Sequence, residues 1–294
     1  MTNRGYQVMQ TMVINQFGSA KALTLTEQPQ PEISAHQVLV KVHAFSIDQL
    51  DIQLRTGQLL AQIPANFPLT LGWDLAGTIV AAGSAVTDFL VGDAVLARLP
   101  LTTPGAAAEY VAVDAANLAY KPDNVAFRTA AALPTAGLTA WQTIVMHLAV
   151  ENEQHVLIND FTSCTGQLAA QLAAGIGAEV TAITPETTQE SDFNLVDAAT
   201  AMQQQYDVIL DLTTKPITTN LLSANGRYLA TQEDFNLVPD GTELQHLVDL
   251  LSHNKLQVPL GRCLPFSELS MIPAHRLLEA GHTQGKLVIE IIAD

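Results

Sequence analysis

Residues 155–180 read HVLINDFTSCTGQLAAQLAAGIGAEV and join a β-branched run to a helix-period run through Asp160-Phe161-Thr162-Ser163-Cys164-Thr165-Gly166. A strand, a tight turn and a helix N-terminus in that order make an anion site. Glycines let the backbone approach a diphosphate, and the helix end offers N–H groups with no intrahelical partner. Gly166 is the one glycine of this turn, and Asp160 brings a carboxylate into it. Two arrangements follow. In one, Ser163, Cys164, Thr165 and Gly166 turn backbone N–H groups and hydroxyls toward phosphates. In the other, Asp160 caps the helix and the bulkier side chains fill the space. Cys164 stands where a helix end lowers a thiol pKa. No second cysteine or histidine accompanies it in the turn, so it reads as a small turn residue.

Charge around this segment is one-sided. Residues 129–214 contain no lysine or arginine and ten acidic residues. A 2′-phosphate on a dinucleotide calls for Arg or Lys contacts, and the next in the chain beyond Thr184 are Lys215 and Arg227. Thr184 stands at the end of the second strand, where an acidic residue would hold a ribose 2′-hydroxyl. Thr184 or Glu186 could make that bond instead.

A second group of polar residues lies in SIDQLDIQLRTG, from Ser46. Asp48 precedes a short helical run and suits a helix N-cap. Buried and protonated, it would instead donate a hydrogen bond. Asp51 and Arg55 are spaced for an i,i+4 pair. The eight histidines fall in no HxH or HxxxH pattern, and the two cysteines, Cys164 and Cys263, form no metal-type pair. His43, His147 and His275 read as structural.

The elements that must position these residues come in two textures. Short alternating or β-branched runs from Met9, Ala22, Gln37, Leu75 and Ala107, punctuated by Gly, Pro and Asn, predict a β-rich lobe resembling a distorted barrel. From about Asn124, helical runs at Thr139–Val150, Gly166–Ile176 and Thr242–His253 alternate with apolar strands at His155–Ile158, Glu179–Ile183, Asp207–Leu212 and Arg227–Ala230. That alternation predicts a doubly wound parallel sheet. The tail from Cys263 ends in the strand KLVIEII and returns to the first texture. The expected organisation is α/β, with residues 1–123 and 259–294 in the β-rich lobe and 124–258 in the parallel-sheet lobe.

Composition narrows the classes. With 48% hydrophobic and 14% charged residues a substantial core can form. A net charge of −16 argues against nucleic acid or an anionic membrane as partner. The apolar stretch Thr129–Val150 is interrupted by Pro134, Gly137, Gln142 and His147 and makes a poor membrane span. Few cysteines and no apolar leader at the N-terminus make the cytoplasm the expected location.

Six segments in order carry a family resemblance: VLVKVHAFSIDQLDIQLRTG, LGWDLAGTIVAAG, VGDAV, LPTAGLTAW, VPDG and LLEAGHTQGKLVIEI. Together they resemble the zinc-free quinone oxidoreductases, related to zeta-crystallin, of the medium-chain dehydrogenase/reductase superfamily. The resemblance implies a GroES-like substrate lobe, a Rossmann lobe, and hydride transfer from a nicotinamide cofactor to a quinone, enone or related small carbonyl compound. It also implies a homodimer. It implies NADPH, whereas the local charge suits NADH. The catalytic positions fall on Asp48 and Gln53. Cofactor positions fall on Thr139, on Ser163, Cys164, Thr165 and Gly166, and on Thr184. In zinc-dependent cousins Asp48 and Trp73 would be a cysteine and a histidine, so no zinc is expected. The alternative is a member with impaired dinucleotide binding that acts as a small-molecule or protein binding module.

Overall fold

The computed structural model describes residues 7–59, 66–185, 191–214, 217, 219–231, 235–281 and 283–292. In chain order the elements begin with β1 (Val8–Ile14), β2 (Leu23–Pro29), β3 (Gln37–Ile47), α1 (Gln49–Thr56), β4 (Leu69–Thr70), β5 (Asp74–Ala82) and β6 (Ala94–Arg98). There follow β7 (Tyr110–Asp114), β8 (Leu118–Tyr120), α2 (Phe127–Ala132), α3 (Pro134–Trp141), β9 (His155–Asn159), α4 (Cys164–Ile176), β10 (Glu179–Ile183) and β11 (Asn194–Val196). The chain closes with α5 (Ala198–Ala201), β12 (Tyr206–Asp211), β13 (Leu222–Ala230), α6 (Gly241–Ser252), β14 (Leu260–Pro265), α7 (Glu268–Glu279) and β15 (Lys286–Glu290). Two compact units emerge: Met1–Thr135 with Pro239–Val248 and Leu260–Asp294, and Ala136–Val238 with Asp249–Pro259.

The first unit is β-rich. One sheet has the order β2-β1-β4; the other runs β14-β15-β3-β5-β6-β8, with β7 also pairing on β3. The long strand β3 organises it. Its C-terminal half pairs antiparallel with β15, so Leu287 lies opposite Ile47 and Ile289 opposite Phe45. The tail strand thereby completes the first unit. Val38, Val40, Val42, Phe45, Leu75, Ile79, Val95 and Leu287 form its buried core. Arg55 ties α1 to α7 at the edge of this core. It is fully buried, donates to His275 Nδ1 at 3.3 Å and pairs with Glu279. The expected Asp51–Arg55 pair is therefore replaced. Asp51 instead accepts backbone N–H groups from Asp48 and Gly72 at 2.8 and 2.7 Å.

The second unit is a parallel sheet in the order β11-β10-β9-β12-β13. Its strands are the buried apolar runs of the sequence. Leu157, Val196, Ala201, Tyr206, Ile209 and Leu221 cluster on it. The helix expected over Thr139–Val150 divides: α3 stops at Trp141 and a π-helical stretch follows over Gln142–His147. Gln142 explains part of the change. Its amide donates to the Val238 carbonyl and accepts from the Val238 N–H, at 2.7 and 3.1 Å. Thr143 hydrogen-bonds back to the Thr139 carbonyl, a bond that loosens helices.

Candidate active site

The turn between β9 and α4 is built by its own side chains. Ser163, and not Asp160, is the N-cap. Its hydroxyl accepts from Gly166 N–H at 3.0 Å and donates to the Asp160 carbonyl at 3.1 Å. Asp160 sits three residues earlier at φ +85°, a left-handed conformation that Asp adopts more readily than most residues. Its carboxylate accepts from Thr162 N–H and hydroxyl. The reading in which Asp160 caps the helix is thus corrected. Gly166 is required by the turn itself, since a Cβ there would stand 2.0 Å from the Asp160 carbonyl oxygen. Phe161 is tucked in edge-on against Phe193, with centroids 5.7 Å apart. Cys164 is buried as the first residue of α4, and Thr165 is half-buried beside it. The turn keeps a strand-to-helix passage, with a helix of 13 residues beginning one short turn after the central strand. Its Thr162 and Gly166 N–H groups, however, are engaged by side chains of the turn.

The other predicted cofactor residues are spread over this unit and α3. Thr184 is buried just after β10, with its N–H on the Val196 carbonyl at 3.0 Å. Thr139 is half-buried on α3. Glu186 and Lys215 lie outside the described residues.

In the first unit the sheet brings a set of charges together. Ser46, Asp74 and Arg98 stand side by side across β3, β5 and β6. Asp74 accepts from the Ser46 hydroxyl at 3.0 Å and from the Thr135 N–H and hydroxyl at 3.0 and 2.5 Å. Lys286 begins β15, one step beyond the Leu287–Ile47 pair, which sets it beside Asp48. Its Nζ lies 2.7 Å from Asp48 Oδ2 and 3.2 Å from Asp74 Oδ2. The Lys286 side chain is 5% exposed and that of Asp48 25%.

Asp48 is the N-cap of α1. Its Oδ1 accepts from Leu50 N–H at 2.9 Å, and Asp51 returns the favour to its own N–H in a capping box. Burial on its own would raise the Asp48 pKa. The Lys286 charge and hydrogen bond, the Arg98 charge and the Leu50 N–H together outweigh it and hold the carboxyl below its ordinary range. Asp48 is therefore an ionised acceptor. Asp51 goes the other way: burial and the Asp48 charge push it up to about 7. Gln53, on the same helix, is half-buried.

The comparisons match this architecture. Residues 34–123 match the alcohol dehydrogenase GroES-like domain, and residues 230–289 match a zinc-binding dehydrogenase family. A chloroplastic quinone-oxidoreductase, QR1, from Triphysaria versicolor is 27% identical, covering 93% of this chain and 95% of its own. An NADPH-dependent alkenal/one oxidoreductase from Arabidopsis thaliana is 29% identical, covering 96% and 79%. The solved quinone oxidoreductase from Coxiella burnetii superposes with a TM-score of 0.86 at 28% identity, over 97% of this chain and 100% of that one. The chain is similar over nearly its whole length to quinone oxidoreductases of the medium-chain dehydrogenase/reductase superfamily.

Within that superfamily the zinc named by one matching family does not suit these residues. Asp48 has one oxygen on a backbone N–H and the other on an ammonium. Trp73 is buried, and its indole N–H finds no protein partner. Among the described residues, no group of three or more His, Cys, Asp or Glu could hold a metal ion. Tetrahedral zinc needs several converging N, S or O donors. Sequence reasoning missed Lys286, Asp74 and Arg98. A lysine opening an otherwise apolar strand was the available signal, because a buried ammonium must find carboxylates.

Proposed function

We propose that this chain is a zinc-independent NAD(P)H-dependent oxidoreductase that reduces a quinone, an α,β-unsaturated carbonyl compound or a related small carbonyl compound. The observation that carries the reading is the β9–α4 turn. It keeps a tight strand-to-helix passage, closed by Gly166 against the Asp160 carbonyl, in a chain whose relatives are named for this chemistry. When bound, the nicotinamide supplies the hydride, and the protein's task is alignment.

Each residue has a defined part in that task. The main chain of Ser163–Thr165 at the head of α4 would receive the diphosphate, with Gly166 closing the turn behind it. The Ser163 hydroxyl shapes the turn from within and does not face outward. At the substrate end, Asp48 is ionised and can only accept, so it does not protonate or donate to a carbonyl oxygen. Gln53 is the neutral donor of the two and would orient that oxygen. Thr139 and Thr184 would contact the nicotinamide and ribose ends. Coenzyme choice turns on the 2′-phosphate. The cation-free stretch 129–214 favours NADH, binding at least as tightly as NADPH. A homodimer is part of this reading, and β13 offers a sheet edge for it.

The cation-free stretch also supports the second reading, a binding module with impaired dinucleotide affinity. Calorimetric titration of the full chain with NADH and NADPH, followed by coenzyme oxidation with a panel of quinones and enones, separates the two. Saturable binding with turnover is expected. Absence of heat with both coenzymes at millimolar concentration would leave the binding module.

A further inference from the structure

The strand order β11-β10-β9-β12-β13 reverses at β9: the chain fills one side of it with β10 and β11, then returns to the other side with β12 and β13. Open parallel sheets bind ligands at such a reversal, in the crevice outside the carboxyl ends of the strands. Two residues flank it here, Asn159 at the end of β9 and Asp211 at the end of β12, paired in register. Asp211 is fully buried and Asn159 is 7% exposed. Asp211 Oδ1 accepts from the Asn159 amide at 2.9 Å, the Thr213 N–H at 3.0 Å and the Thr213 hydroxyl at 2.8 Å. Its Oδ2 accepts from the Ile217 N–H at 2.7 Å and the Tyr228 hydroxyl at 3.4 Å. One carboxylate thus joins the strand that leads into the β9–α4 turn, the chain that leaves β12, and β13.

We propose that Asp211 is a positioning residue for the coenzyme: it fixes the wall of the crevice on which the nicotinamide half rests. The inference rests on the coenzyme reading of the β9–α4 turn. With the diphosphate at that turn and the adenosine ribose toward Thr184 beyond β10, the other half of a dinucleotide crosses to the β12 side of the reversal. On that side Asp211 holds the main chain at Thr213 and Ile217 through their N–H groups. A buried carboxylate is costly unless donors meet its oxygens, and a satisfied network of this kind fixes a single geometry. An amide at position 211 keeps the size of the side chain but has only one accepting atom, so part of the network loses its acceptor. The turn itself is held separately, by the Ser163 hydroxyl on the Gly166 N–H and the Asp160 carbonyl. Damage at Asp211 should therefore fall on one half of the ligand.

The test uses the full chain with its Asp211→Asn and Thr213→Val variants, and NADH and ADP as probes in calorimetric titrations. ADP carries the adenosine and the diphosphate without the nicotinamide. In Asp211→Asn the Kd for NADH should rise about tenfold, the loss of one well-placed contact, while the Kd for ADP stays as in wild type. A residue of merely structural importance would weaken both probes together. Chemical denaturation checks that each variant is folded. If Asp211→Asn does not fold, Thr213→Val decides: it removes the hydroxyl bond to Asp211 alone and should weaken NADH about threefold with ADP unchanged. Equal losses for the two probes, or an unchanged Kd for NADH, would overturn the proposal. A wild type that binds NADH but not ADP has its anchor away from the turn and would overturn it as well. A wild type that binds neither refutes the coenzyme reading itself, and the inference with it.

Discussion

Under the proposed function, Gln53 is the neutral donor beside an ionised Asp48 that cannot donate. Removing one hydrogen bond to a substrate oxygen costs about 1–1.5 kcal/mol, close to a tenfold change in rate. Gln53→Ala should therefore lower kcat/KM for the quinone or enone about tenfold and leave coenzyme affinity unchanged; steady-state kinetics with calorimetry measures both. Two other residues give a paired pH effect. Burial, with the neighbouring Arg55 charge, depresses His275 to about 3. Its neutral form is then preferred in the fold, and its contribution is present above about pH 6.5, the unfolded value, and lost as pH falls toward 3. Asp51 is raised to about 7 by burial and the Asp48 charge. Its contribution is full below about pH 3.9 and is lost as pH rises to 7. Between about pH 4 and 6.5 the two slopes oppose each other. His275→Asn keeps an acceptor for Arg55 and removes one slope. Its denaturation midpoint should fall relative to wild type as pH rises from 4 to 6.5, and a constant difference across that window would refute the assignment.

At the scale of the element, the β9–α4 turn is held by two features with different energies. A Cβ on residue 166 meets the Asp160 carbonyl oxygen at 2.0 Å, and the backbone must shift to admit it. Gly166→Ala should cost about 1–3 kcal/mol of stability, as overpacking does, and displace the very N–H groups assigned to the diphosphate. Ser163→Ala loses only a cap, about 1 kcal/mol. Chemical denaturation and coenzyme titration of both variants should therefore show the alanine at 166 weakening binding far more than the alanine at 163. Sequence reasoning recovered the strands here because β9, β10 and β12 are apolar runs buried in a parallel sheet, where burial alone writes the pattern. It left the cap open between two arrangements because Asp160 and Ser163 are both good capping residues, and only the backbone shows that Asp160 turns left-handed before the helix begins. Asp48 was legible as a cap, since its signal is local. The partners of Arg55 and the seat of Lys286 were not, because their partners lie more than 200 positions away in the chain and meet through β3, β5, α1, α7 and β15.

Across the whole molecule, charge decides how an anionic coenzyme arrives. The chain carries −16, and residues 129–214, the greater part of the parallel-sheet unit, contribute ten acidic residues and no lysine or arginine. Most phosphate sites draw their ligand with cations, and added salt weakens them by screening that attraction. A main-chain site inside a negatively charged protein should respond in the opposite sense. Screening removes long-range repulsion, while short N–H···O contacts at the helix head are little affected. Raising ionic strength from about 10 to 150 mM shortens the Debye length from about 30 to 8 Å. Over that range the coenzyme association rate should rise and the Kd should tighten or hold steady, as read by stopped-flow fluorescence. Thr162 is exposed in the turn, so Thr162→Arg adds one cation without burying it. That variant should bind both coenzymes more tightly at low salt and show the ordinary weakening as salt is added. Should wild-type affinity instead fall steeply with salt, basic side chains must serve the phosphates after all, and the proposed main-chain cradle at Ser163–Thr165 would not be the principal anchor.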